Sequence, residues 1–205
     1  MSKNNDRQIA PVSDNKDKQQ TYRHQLGRYK IALREGFYFE AMLIVYAMIE
    51  DRLRSFLYYI GAIRKFDSSS LNVEKSKTQL RNLFSVDDPN KKISINQYSV
   101  KSDLILKTLE LIYNPELSDD YLILLKDEYI RCVDIGGLRD VLTAANDWCK
   151  YRNEIIHGLL NKNVTSLDSE IHEKVEQGMA YGRFIDNQVK ELKKRNAIRK
   201  HLNLK

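Results

Sequence analysis

The chain has 205 residues, a formal net charge of +6 and a pI near 9.1, enough length for one domain with a sizeable core. The basic balance suits a polyanionic partner without identifying one. No run approaches the roughly 20 apolar residues of a membrane span, and the polar first twenty residues hold no apolar signal segment, so a cytoplasmic protein with no membrane partner is expected. Three Pro and eight Gly, among abundant Lys, Glu, Leu and Ile, favour helix over strand. Cys132 and Cys149 stand in neither a CxxC nor a Cys/His cluster, which argues against a zinc site and for buried thiols in a reducing compartment.

In chain order, residues 1–20 read as a polar N-terminal tail. A first helix is expected over 21–34, with Tyr22, Leu26, Tyr29 and Leu33 on one side, and Gly36 ends it. Residues 37–64 are the most hydrophobic stretch and read as the central helix. Its stripe runs through Met42, Tyr46, Ile49, Leu53 and Phe56, and Glu50 falls about 40° from Tyr46 on that face. An isolated carboxylate there is costly.

The middle of the chain is less regular. A turn at 67–70, a short helix over 73–84, a loop at 87–92 and an extended piece over 93–98 are expected, followed by helices over 100–113 and 117–133. Gly136 and Gly137 mark a turn into a helix over 138–160. The last helix begins between Thr165 and Asp168 and runs through Val189 and Leu192. Beyond residue 196 a basic C-terminal tail is expected. Lys193, Lys194 and Arg195 form a basic run that could follow an RNA backbone, although a solvated helix face is the commoner reason for such a run.

One helix sets polar side chains against its own apolar pattern. Over 138–160 the residues Val141, Ala145, Trp148, Ile155 and Leu159 recur at helical spacing, and Arg152 lies within about 40° of Trp148. Asn153 and His157 are one turn apart on a neighbouring edge. Two buried helices thus each carry one ionisable group of opposite sign, which suggests that Glu50 meets and aims Arg152; Glu50 could equally anchor Arg54 or the Tyr46 hydroxyl.

Arg152-x4-His157, with Asn153 after the arginine, resembles the RNA-cleaving motif of the HEPN superfamily (higher eukaryotes and prokaryotes nucleotide-binding domains), written as Arg, four to six residues, His. The pattern of helices extends the resemblance over about residues 22–196, while Arg152, Asn153 and His157 carry it residue by residue. It implies a single domain over 21–196 with an all-α, up-and-down helical bundle of HEPN type, and a helical and loop insertion between the central helix and the motif helix. It also implies metal-independent RNA cleavage without a cofactor, leaving a 2′,3′-cyclic phosphate or 3′-phosphate, with two motif copies facing a shared cleft in a homodimer. Some members serve as toxins, in phage abortive infection or as CRISPR effectors, so an antitoxin or activating partner belongs to the expectation. Toxins modified by a nucleotidyltransferase antitoxin carry Tyr two residues after the His; here that position is Leu159.

The residue types fit that chemistry. RNA supplies its own nucleophile, the 2′-hydroxyl, so a histidine that moves protons near neutral pH and a permanently charged arginine beside the non-bridging oxygens suffice. His157 and Arg152 are those groups, and Asn153 could fix the imidazole tautomer or bind the RNA. On one helix Arg152 and His157 point about 140° apart, which by itself encloses no substrate. No Gly-rich phosphate loop, HExxH or GxSxG is present, and Asp119, Asp120 and Asp127 are too scattered for a metal site. The competing class is a non-catalytic helical module that holds a nucleotide, RNA or a protein partner through the same residues.

Overall fold

The computed structural model describes residues 16–63, 93–158 and 164–203, without the side chains of 164–167 and 169. The turn expected at 67–70, the helix at 73–84, the loop at 87–92 and most of the N-terminal tail lie outside these residues. The described chain is all-α. Its helices are α1 (Lys16–Arg34), α2 (Tyr38–Tyr59), α3 (Tyr98–Leu109) with a 3-10 turn (Glu110–Tyr113), α4 (Asp120–Cys132), α5 (Ile135–Gly158), α6 (Val164–Arg195) and α7 (Ala197–His201).

Local chemistry sets the boundaries. Gly36 and Gly61, both at φ +77, stop α1 and α2 in the left-handed conformation that costs glycine nothing. In each case the next residue's N–H reaches back into the last turn, Phe37 to the Ala32 carbonyl at 2.7 Å and Ala62 to the Leu57 carbonyl at 2.9 Å. α2 therefore ends at Tyr59 and does not run on to Arg64. The Asp119 carboxylate caps α4 by accepting from the Leu122 N–H at 3.0 Å, and that of Asp134 accepts from the Gly137 N–H at the same distance. Gly136 and Gly137 thus form the first turn of α5 rather than a turn before it. A Cβ on Gly137 would stand 2.8 Å from the Phe184 ring and closer still to Asp134, so the glycine answers to close packing.

Contacts fix the directions. Tyr38 stacks on His172, Val45 lies at Gly178 and Arg52 binds Asp186, so α2 and α6 run parallel. Lys18 on Asp51 and Arg28 on Glu40 make α1 antiparallel to α2. Gly137 at Phe184 and Trp148 at Gly178 make α5 antiparallel to α6. The four long helices alternate in direction, and α2 lies at the centre with Met42, Ile49, Leu53, Phe56 and Leu57 fully buried. The indole of Trp148 donates to the Lys174 carbonyl at 2.6 Å, which ties α5 to α6 where Gly178 lets the two approach.

Both ends of the domain differ from expectation. Residues 16–20 are already helical, because Lys18 and Tyr22 are held on Asp51 of α2. Residues 197–203 pack onto the bundle and do not begin a tail. Asn196 turns the chain at φ 47, α7 follows, and Ile198 and Arg199 are buried. The Arg199 guanidinium lies 3.5 Å from the Tyr58 ring centroid and donates to the Tyr58 and Ile63 carbonyls at 3.0 and 3.2 Å, which ties α7 to the end of α2 and the turn after it.

Candidate functional site

The buried face of α5 is made by Leu138, Leu142, Ala145, Trp148, Cys149 and Ile155. Arg152 stands at the rim of that face and is half-buried. Its guanidinium carbon lies 3.7 Å from the centroid of the Tyr46 ring on α2, a close cation–π stack. Asn153 and His157 are exposed on the next turn, towards the end of the described helix at Gly158. Residues 159–163, including Leu159, lie outside the described residues.

The expected Glu50–Arg152 pair is not formed. The Glu50 carboxylate accepts from Lys101 Nζ at 2.7 Å, and that ammonium, fully buried on α3, also donates to the carbonyls of Ile95 and Asn96 at 2.9 and 3.3 Å. The reason is desolvation: a buried ammonium has three donors to satisfy and no water, whereas a half-exposed guanidinium on a ring has solvent. Burial still draws the Lys101 ammonium below its ordinary range, with Glu50 working against that. Tyr46 feels both groups; burial and then Glu50 raise its hydroxyl, and Arg152 opposes them. Glu50 and Arg152 therefore share a neighbourhood across one tyrosine without touching.

Beside Arg152 a cleft of about 590 Å³ opens between α3 and α5, walled by Tyr46, Gln97, Asp103, Asn146, Arg152 and Asn153. His157, one turn beyond Asn153, is not part of its wall. Arg152 Nε and Asn146 Oδ1 are buried and have no hydrogen-bond partner among the described residues. Cys149 lies at the floor, its thiol pushed up to about 12 by burial although Arg152 pulls the other way. No Asp or Glu pairs with Arg152 among the described residues, so its charge is free to meet an anion.

The C-terminal cations are differently employed. Arg195 grips both carboxylate oxygens of the buried Glu128 on α4, at 2.6 and 3.0 Å, and Lys194 pairs with Glu191. Arg195 is a fastener between α6 and α4, which removes it from the expected RNA-binding run. Lys193 and Lys194 remain exposed.

One ionic cluster escaped the sequence reading altogether. Arg52, not Glu50, is the fully buried ionisable group of α2; it donates to Asp186 at 2.9 Å and also holds Tyr22 and Asp51. Its position three before Ser55 and three after Ile49 puts it on the stripe through Val45, Ile49 and Phe56, a signal present in the sequence. A second hollow, about 700 Å³ between α1 and α2, is floored by Leu43, Ile44 and Met48 and contains none of the predicted site residues. Among the described residues no three His, Cys, Asp or Glu side chains group as metal ligands, and no helix is long and apolar enough to cross a membrane. Comparison of the chain with models of known protein families, with curated protein sequences and with solved structures returns no match.

Proposed function

We propose that the chain is a metal-independent endoribonuclease of HEPN type, acting in a toxin or phage-defence setting such as abortive infection or CRISPR-associated immunity. The observation that carries this reading is Arg152: a guanidinium stacked on Tyr46, with no carboxylate partner among the described residues, followed on the same helix by exposed Asn153 and His157. In the mechanism Arg152 stabilises charge on the non-bridging oxygens, His157 removes the proton of the 2′-hydroxyl or delivers one to the leaving 5′-oxygen, and Asn153 orients the imidazole or the RNA. Tyr46, beneath the guanidinium, takes the positioning role expected of Glu50. Because Arg152 and His157 diverge by about 140° around the helix, a second copy of the chain supplies the facing half of the site. An antitoxin or activator restrains or triggers it.

The position of His157 outside the cleft favours one other reading, a binding module that holds RNA or a nucleotide at Arg152 without cleaving it. Incubation of a structured RNA with the purified protein in EDTA separates the two. The nuclease reading expects cleavage by the wild type and none by folded Arg152→Ala or His157→Ala. Binding that Arg152→Ala weakens, with the RNA left intact by all three proteins, would support the module.

A further inference from the structure

We propose that the α3–α5 cleft beside Arg152 is a pocket for one unstacked RNA base, with a preference for guanine. The inference rests on RNA as the ligand of the site and not on its cleavage. Its volume of about 590 Å³ suits a small flat group with part of its sugar, within the roughly 300–1,000 Å³ usual for such sites. Arg152 presents one face to Tyr46 and forms part of the cleft wall, so its plane offers a cationic surface on which a base can stack.

The polar groups around that plane select among ligands. Asn146 Oδ1 and Arg152 Nε are buried and without hydrogen-bond partners among the described residues, one an acceptor and one a donor. A bare phosphate is repelled by the Asp103 carboxylate on the cleft wall. A base edge brings both donors and acceptors. Guanine alone sets two N–H donors side by side, at N1 and N2, matching the two oxygens of Asp103, while its O6 and N7 accept from the amides of Gln97 or Asn153. Uracil turns a carbonyl towards Asp103 wherever guanine turns its amine.

The test uses the full-length His157→Ala variant, so that it does not depend on cleavage. Fluorescence anisotropy compares a uridine pentamer with the same pentamer carrying one central guanosine. The guanosine pentamer is expected to bind about tenfold tighter, the scale of one well-matched base contact. Asp103→Asn, at an exposed position, should bring the two affinities together while leaving the melting temperature in place. Equal affinities for the two pentamers, no measurable binding of either, or a preference that survives Asp103→Asn would each overturn the proposal. Loss of cleavage in the wild type with this preference intact would defeat the nuclease reading alone.

Discussion

Arg52 and Arg152 both enter apolar faces, and the fold treats them in opposite ways. Arg52, fully buried, is surrounded by Asp186, Asp51 and the Tyr22 hydroxyl. Removing one partner leaves charge buried without compensation, so Asp186→Ala is expected to lose about 3 kcal/mol of stability in urea unfolding. A loss below ~1 kcal/mol would mean that Asp51 alone suffices. Arg152 has a ring beneath it and is half-exposed. The cysteines give a second check at this scale. Burial pushes Cys149 up to about 12 and Cys132 up to about 11, so both are thiols at neutral pH. The folded protein should resist iodoacetamide at pH 8, with Cys149 the slower, and both should react quickly in urea; rapid native labelling of Cys149 would show that the cleft floor opens. The sequence made it legible that α2 carries a charge in its apolar stripe, but not which one, because the broad stripe accommodates two registers and only the partner helices choose between Glu50 and Arg52.

At the scale of elements, the helices were legible wherever periodicity was long and glycine had room. Gly36 acted as the expected stop. Gly137 and Gly178 did not declare themselves, because their reason lies across the interface. A Cβ on Gly178 would stand 2.6 Å from the Trp148 ring and 2.8 Å from Val45, where α6 meets both α5 and α2. Gly178→Ala should therefore destabilise by about 1–3 kcal/mol through overpacking. Gly27, inside α1 with nothing within 4 Å of its missing Cβ, supplies the contrast: Gly27→Ala should stabilise by about 0.5–1 kcal/mol. Thermal melts of the two variants should move in opposite directions, and a common direction would contradict the packing described. The last helix, α7, was hidden for a related reason. Its sequence is basic, and the Tyr58 ring and the carbonyls of Tyr58 and Ile63 make burial of Arg199 tolerable.

For the whole molecule, the charge network between α1 and α2 couples stability to pH. Burial draws the Lys18 ammonium from 10.5 down to about 8, with Asp51 opposing. Between those values the unfolded chain holds this proton and the folded chain releases it, so the contribution of Lys18 to stability rises with pH across that window. Burial raises the Tyr22 hydroxyl well above its ordinary value, which reverses the trend above about pH 10, where an unfolded tyrosine ionises first. Urea unfolding at pH 7.5, 8.5 and 9.5 should show stability rising more steeply in the wild type than in Lys18→Met; parallel profiles would show that the ammonium is not desolvated. The all-helical architecture was legible in composition and period, since few prolines and long 3.6-residue stripes leave little else to build. The candidate site was half legible. Arg152, Asn153 and His157 could be named from spacing, whereas Tyr46 beneath the guanidinium and the cleft beside it depend on the approach of α2, α3 and α5, which no single helix encodes.

The most direct measurement of the central claim is the chemistry of the RNA ends. Products formed by the wild-type protein in EDTA would be analysed by mass spectrometry, beside the same RNA carrying 2′-O-methyl groups. Attack by the RNA's own 2′-hydroxyl, aided by Arg152 and His157, predicts 2′,3′-cyclic phosphate or 3′-phosphate ends and a fully resistant methylated RNA. Free 3′-hydroxyl ends, cleavage of the methylated RNA, or intact RNA at every protein concentration would contradict it.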